Sequence, residues 1–173
     1  PVNLMFNAVG LTGDQGKPLA EMDRYNFFAT INDAMKTWFH TGTACNLACP
    51  FCLEGSKPGD NRLQLMRFED AKPFMDEALT LGVRQFSFTG GEPFINKDMI
   101  RLLEYALQHR PCMVLTNATE PLLKRLPQLQ SLLELPHSVH FRVSLDHFLA
   151  DQHDKDRGEG MFSMALDGLC ALH

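Results

Sequence analysis

Two kinds of segment alternate along the chain from residue 36 to its end. Short runs rich in aromatic, β-branched and other apolar residues are typical of strands, and they occur at residues 37–41, 85–89, 112–116 and 139–145. Longer segments carry apolar residues at the spacing of one buried helix face, and they occur at residues 69–81, 97–107, 122–135 and 161–172. We therefore predict four strands, each followed by a helix.

Three residue types mark where the predicted helices begin, end or break. Gly82 follows the first helix as its C-cap, and Asn96 is placed to cap the N-terminus of the second helix. Pro127 falls inside the third helical segment, where proline removes a hydrogen bond and interrupts the helix. The third helix is therefore expected to be broken near Pro127.

The repeated order of strand, loop and helix predicts an α/β fold with parallel strands joined by right-handed crossovers. Residues 36–173 form this core of about four βα units. Residues 1–35 are interpreted as an N-terminal extension, with loop-forming glycines and a short helix expected within residues 22–35. Ligands of such sheets bind at the C-terminal ends of the strands, so the functional residues are expected in the loops that follow the strands.

Composition and charge narrow the class of protein. The chain has 173 residues, of which 45% are hydrophobic, which excludes intrinsic disorder. A net charge of −5 makes nucleic acid an unlikely main partner. We also predict no membrane span, because no apolar run approaches about 20 residues, and no secretory signal is visible at the start.

Five cysteines carry the candidate chemistry, and three of them lie in one short loop after the first strand. Cys45, Cys49 and Cys52 have the spacing CxxxCxxC, which favours a metal site in a reducing, cytoplasmic setting over a disulfide framework. Three thiolates can hold three corners of a cubane iron–sulfur cluster, which normally takes four cysteines, so one iron would stay open. Zinc and simple packing are the alternatives. Cys112 and Cys170 are interpreted as small buried hydrophobic residues.

The joint pattern of motifs resembles the radical S-adenosylmethionine (radical SAM) superfamily. The cysteine motif with its aromatic Phe51 is followed, one motif per unit, by segments at residues 89–93 (TGGEP), 116–117 (TN) and 144–146 (SLD). The resemblance covers about residues 36–173. It implies a partial (β/α) barrel, of which about four units are visible, so the core is expected to be truncated at its C-terminus.

The resemblance also implies roles for particular residues. Cys45, Cys49 and Cys52 would hold a [4Fe-4S] cluster, and Phe51 would lie near the adenine of SAM. In the Gly-Gly-Glu motif, backbone carbonyls and the Glu92 carboxylate would accept hydrogen bonds from the SAM ammonium group. The remaining SAM contacts implied by the resemblance come from Gly90, Gly91, Thr116, Asn117, Ser144 and Arg157.

Some of these residues also have a purely structural interpretation. Gly90 and Gly91 can form a plain tight turn, and Asn117 can be a turn residue. Arg157 can be an exposed side chain balanced by acidic neighbours, because the interval from Ser144 to Arg157 is one residue longer than in the sulfatase-maturing branch. His147 also stands where relatives have glycine. A second metal site at His147, Asp151 and His153 is an alternative to the favoured interpretation, a solvated acidic loop.

The resemblance implies an oxidoreductase with concrete cofactors and partners. A reduced [4Fe-4S] cluster would cleave SAM to methionine and a 5′-deoxyadenosyl radical, which takes hydrogen from an unidentified small molecule or peptide. A one-electron donor such as flavodoxin or ferredoxin would reduce the cluster. Two rival hypotheses remain: a SAM-free iron–sulfur electron carrier, and a binding module stabilised by zinc.

Overall fold

The computed structural model describes residues 36–173 and the backbone of Leu4 and Met5. The helix expected within residues 22–35 lies outside the described residues. The strands are β1 (Leu4–Met5), β2 (Lys36–His40), β3 (Gln85–Thr89), β4 (Cys112–Thr116) and β5 (Val139–Val143). The helices are α1 (Phe68–Thr80), α2 (Met99–His109), α3 (Glu120–Leu123), α4 (Leu126–Ser131), α5 (Ala150–Arg157) and α6 (Met161–Leu172), with short 3₁₀ turns at Pro93–Ile95 and Leu132–Glu134.

The strands form one sheet in chain order, from β1 to β5. Strands β2 to β5 are parallel, while the unpredicted β1 pairs antiparallel with β2. In the register, His40 lies opposite Thr89, and Thr116 lies opposite Val143. The C-terminal ends of the parallel strands are therefore level. This arrangement confirms the predicted α/β fold of alternating strands and helices.

An aromatic cluster fills the space between the sheet and the helices. Phe39, Phe86 and Phe88 are fully buried, and the rings of Phe39 and Phe88 stack with their centroids 5.7 Å apart. Helix α2 buries the face that its periodicity predicted, whereas the predicted face of α1 is only partly confirmed, because Leu81 is exposed and Met75 is buried. The buried residues are Ala71, Met75 and Ala78 from α1 and Met99, Leu102, Leu103, Ala106 and Leu107 from α2. Burial of these side chains is the main stabilising contribution to the fold.

The prediction for Pro127 is confirmed, and the prediction for Asn96 is wrong. The third helical segment breaks at residues 124–125, just before Pro127, which occupies the first turn of α4, where its missing N–H costs nothing. Asn96 does not cap α2, whose N-cap is Asp98. Its Oδ1 accepts a hydrogen bond from the Asp98 N–H, while its Nδ2 donates to the carbonyls of Thr41 and Met66.

Two further expectations are corrected. Residues 150–157 form α5 and not a solvated loop; the helix was missed because it has no apolar stripe, and His153 is its one buried residue. Cys170 is exposed on α6, although it was expected to be buried, whereas the burial predicted for Cys112 is confirmed. In the part of the chain that the structure describes, no helix combines the length and apolar character needed to cross a membrane.

Candidate functional site

A cleft of about 360 Å³ opens at the C-terminal ends of the four parallel strands. It is lined by the cysteine loop after β2 and by residues that follow β3, β4 and β5. All the predicted site residues line it except Glu92, and they are Cys45, Cys49, Phe51, Cys52, Gly90, Gly91, Thr116, Asn117, Ser144 and Arg157. The chain thus gathers residues that are up to about 110 positions apart in sequence at the edge where parallel sheets bind ligands.

The three clustered cysteines are free thiols, and each is partly buried. The Cys45 Sγ accepts hydrogen bonds from the Leu47 N–H at 3.4 Å and from the Asn117 Nδ2 at 3.9 Å. Burial raises the pKa of the Cys45 and Cys49 thiols. A positively charged group or a metal ion is therefore needed to keep these two cysteines as thiolates, the form that binds metals. In the described residues, no three His, Cys, Asp or Glu side chains converge to hold a single metal ion, so the alternative site at His147, Asp151 and His153 is not formed.

A hydrogen bond between His40 and Glu54 that the sequence did not reveal braces the cysteine loop. The His40 Nδ1 accepts the Gly42 N–H, so His40 carries its proton on Nε2 and donates it to Glu54 at 2.6 Å. This hydrogen bond lowers the pKa of the Glu54 carboxyl. Arg62 also donates to the Glu54 carbonyl at 2.6 Å. These contacts fix the end of the loop against β2, two residues beyond Cys52.

Gly90 and Gly91 allow the loop after β3 to lie directly against the cysteine loop. Gly90 has a φ of +145°, and a Cβ there would lie 2.6 Å from the Gly42 carbonyl oxygen. A Cβ on Gly91 would overlap the Ala44 carbonyl group. The Gly91 N–H instead donates to the Gly42 carbonyl at 2.9 Å. The missing side chains thus serve a close approach between two loops at the wall of the cleft.

Glu92 has a different place from the one expected. Its side chain is 1% exposed, and the carboxylate accepts hydrogen bonds from the Phe94 N–H at 3.1 Å, the Thr116 hydroxyl at 2.8 Å and the Asn117 N–H at 2.8 Å. Burial raises its pKa to about 7, although these three bonds oppose the rise. Glu92 does not line the cleft, so the expectation that its carboxylate receives an ammonium group is corrected. It ties the loops after β3 and β4 together.

The polar residues after β4 form a closed hydrogen-bond network. The Asn117 side chain donates to Asn46 at 3.0 Å and accepts from the Thr119 hydroxyl at 2.6 Å. Asn46 completes the ring by donating to the Thr119 hydroxyl at 2.9 Å. Because Asn46 follows Cys45 directly, this ring links the cysteine loop to the end of β4. No sequence signal singled out Asn46 or Thr119.

Arg157 reaches the cleft from the end of α5. It makes a bidentate ion pair with Asp146, and its guanidinium carbon lies 5.4 Å from the centroid of the Phe51 ring. The side chain is only 11% exposed. The interpretation as an exposed, solvated arginine is therefore wrong. Asp154, an acidic neighbour of Arg157 in the sequence, accepts the N–H groups of Gly160 and Phe162 at the start of α6.

The ion pair leaves part of the guanidinium available. The Nε and Nη2 atoms of Arg157 donate to Asp146, whose pKa is lowered chiefly by these bonds. Within residues 36–173, no acceptor binds Nη1. Ser144 lines the same cleft as Arg157. Its N–H donates to the Thr116 carbonyl at 2.9 Å and so keeps the turn after β5 next to the loop after β4. The cleft can therefore offer a directed cationic donor beside the three thiols.

Comparisons with known proteins agree on one family. The sequence model of the radical SAM superfamily matches residues 39–173. The mycofactocin maturase of Mycolicibacterium smegmatis is 33% identical over 134 residues, which cover 77% of this chain and 32% of the maturase. A PqqA peptide cyclase of Granulibacter bethesdensis is 38% identical over 47% of this chain, and a GTP 3′,8-cyclase of Clostridium botulinum is 43% identical over 34% of it. The chain spans about a third of the length of the maturase relatives it matches.

Proposed function

The chain belongs to the radical SAM superfamily, and from this premise we propose that its cleft binds a [4Fe-4S] cluster and SAM and generates a radical that abstracts hydrogen from a substrate. The observation that supports the proposal most directly is the position of Cys45, Cys49 and Cys52 on one wall of the cleft that also receives Arg157. Such a cluster, with SAM bound to it, supplies one-electron cleavage of SAM to methionine and a 5′-deoxyadenosyl radical.

The donor set fits a cubane cluster. Each thiolate of such a cluster binds a different iron atom, so three cysteines need to surround a space and not to converge on one point. Cys45, Cys49 and Cys52 line the same cleft and are partly buried, which suits a cluster shielded from bulk water. The Leu47 backbone N–H and the Asn117 side-chain amide, which both donate to the Cys45 sulfur, would stabilise it as a ligating thiolate.

The remaining residues of the cleft would orient SAM. Arg157 offers Nη1 to the SAM carboxylate, and a charge-assisted bond of this kind is among the stronger hydrogen bonds. Phe51, held under the guanidinium, presents an aromatic face to the adenine. Gly90 and Gly91 form part of the cleft wall along which SAM would lie, and Ser144 adds a hydroxyl to the same cleft.

The partners and location that we propose follow the same chemistry. A one-electron donor such as flavodoxin or ferredoxin would reduce the cluster, and the substrate would be a small molecule or a peptide. A peptide is supported by the match to a PqqA peptide cyclase. A reducing compartment, the cytoplasm, suits a protein whose cysteines must stay as thiolates.

Anaerobic purification and reconstitution test the proposal. We expect about four irons and four sulfides per chain and, after reduction with dithionite, an electron paramagnetic resonance signal that changes when SAM is added. An intact cluster whose signal and calorimetric trace do not respond to SAM would favour a SAM-free electron carrier. A colourless protein that binds zinc and no iron would contradict the proposal altogether.

Replacement of Arg157 should weaken SAM binding without loss of the cluster. Arg157→Ala removes one charge-assisted hydrogen bond, so we expect the SAM affinity to fall about ten- to a hundredfold in calorimetric titrations. Arg157→Lys should restore only part of the affinity, because an ammonium group cannot keep the bidentate pair with Asp146 and donate to SAM as well.

Arg101 provides a matched control for this prediction. Like Arg157, it pairs with a carboxylate, that of Glu69, and it lies over an aromatic ring, that of Phe68 at 4.3 Å, but it is outside the cleft. Arg101→Ala should leave SAM affinity and iron content unchanged. An Arg157→Ala variant that binds SAM as tightly as the Arg101→Ala variant would remove Arg157 from the site.

A further inference from the structure

A buried histidine that the proposed function does not use stands next to the Arg157 ion pair. His153 is 1% exposed, and its Nδ1 accepts the backbone N–H of Asp146 at 3.3 Å. Because Nδ1 is an acceptor, the neutral ring carries its proton on Nε2. That Nε2 is buried and has no partner among residues 36–173, and an unpaired buried donor costs about 1–3 kcal/mol. A leucine or phenylalanine would fill the same space without this cost.

The hydrogen bond to Asp146 is the contact that an apolar residue could not make. His153 and Arg157 are four residues apart on α5, so they lie on the same face of the helix, one turn apart. Both contact Asp146: His153 binds its backbone N–H, and Arg157 binds its carboxylate. The ring of Phe162 packs edge-on against His153, with the centroids 5.6 Å apart, and limits rotation of the imidazole.

We propose that His153 is a positioning residue that fixes Asp146 and thereby aims the Arg157 guanidinium into the cleft. Its role toward SAM rests on the proposed function. Beyond Val143, the last residue of β5, the Ser144 N–H still donates to the Thr116 carbonyl of β4, but the Asp146 N–H has no main-chain acceptor among the described residues. His153 supplies the acceptor for Asp146. With the Asp146 backbone held, the carboxylate can fix two nitrogens of Arg157 and leave Nη1 directed at a ligand.

Three variants separate this role from simple packing. His153→Leu fills the space but has no acceptor. His153→Asn places its Oδ1 where Nδ1 lies, so it can still accept the Asp146 N–H. His153→Gln is polar but carries its amide one atom further, at the Nε2 position, so it has no acceptor where Nδ1 lies and replaces the leucine variant should that variant fail to fold.

The first measurement is SAM affinity of the cluster-loaded protein by calorimetry. We expect His153→Leu and His153→Gln to lower the affinity about three- to tenfold, the equivalent of one neutral hydrogen bond, with unchanged iron content. His153→Asn should stay within about twofold of the wild-type protein. In the Arg157→Ala background, His153→Leu should cause no further loss, because it acts through that arginine. Unchanged affinity in His153→Leu and His153→Gln, or losses that multiply with Arg157→Ala, would overturn the proposal.

A second measurement does not depend on SAM. The Arg157 Nε–H, held by Asp146, should give a slowly exchanging arginine signal in ¹H–¹⁵N spectra of the cluster-free chain, identified by its absence in Arg157→Lys. We expect fast exchange in His153→Leu and His153→Gln and slow exchange in His153→Asn. If the wild-type protein fails to bind SAM, the proposed function falls and this measurement alone decides the role of His153; equal exchange in all variants would refute it.

Discussion

Replacement of Cys49 by alanine should reduce the iron content of the reconstituted protein from about four atoms per chain to nearly none. The same result is expected for Cys45→Ala and Cys52→Ala, because each thiolate would bind a different iron and a cubane with two protein ligands is not retained. The loss should appear in iron and sulfide analysis and as the disappearance of the brown absorbance and of the reduced-state resonance signal.

The two other cysteines provide the controls. Cys170 is exposed on α6, so Cys170→Ala should leave iron content, stability and SAM binding unchanged. Cys112 is fully buried in β4, and burial raises the pKa of its thiol to about 12, so it is a neutral packing residue. Cys112→Ala should lose about 1 kcal/mol of stability, roughly one buried group of methyl size, but keep its iron. Full iron content in the Cys49→Ala variant would end the assignment of the cluster to this loop.

Hydrophobic periodicity was sufficient to predict the elements that bury a continuous apolar face. The predicted bounds of β3, β4 and α6 agree with the structure, because each has a run of apolar residues with clear limits. Helix α5 has no such face, and what holds it is polar: its Arg157 and His153 bind Asp146, and its Asp154 binds the start of α6. Such contacts depend on how the chain turns before and after α5, and hydrophobic periodicity does not predict them.

Which residues belong to the site could be predicted from the sequence better than how their side chains are oriented. Parallel strands bring their C-terminal ends to one edge, so motifs that follow four successive strands had to meet there. Which way a side chain points depends on its partners. Glu92 follows the two glycines of its motif, yet three donors from the loops around it turn its carboxylate away from the cleft. The bracing residues His40 and Glu54 are single residues without a motif, and the sequence suggested His153 only as an alternative metal ligand; tertiary contacts alone identify their bracing roles.

Replacement of Glu92 by alanine should lower the free energy of unfolding by about 3–5 kcal/mol, because it leaves three buried donors unpaired at about 1 kcal/mol or more each. The substitution leaves the Thr116 hydroxyl and the N–H groups of Phe94 and Asn117 without their acceptor, and it opens a cavity. Urea unfolding of the metal-free chain measures the change. Glu77→Gln, on the exposed face of α1, is the control and should change stability by less than about 0.5 kcal/mol.

The pH dependence of stability distinguishes the contribution of the Glu92 charge from the contribution of the size and shape of its side chain. Burial raises its folded-state pKa to about 7 from an ordinary value of 4.5, so the folded chain binds one more proton than the unfolded chain between those values. The stabilising contribution of the protonated group is therefore complete below about pH 4.5, decreases as the pH rises, and is lost above about pH 7.

Glu92→Gln keeps one oxygen for Phe94 and Thr116 but does not titrate. The stability of the wild-type chain relative to Glu92→Gln should fall by about 2–3 kcal/mol between about pH 5 and pH 8, at about 1.4 kcal/mol per unit of pKa difference. A constant difference between the two proteins across this range would mean that the carboxylate stays ionised, and that its three hydrogen bonds outweigh its burial.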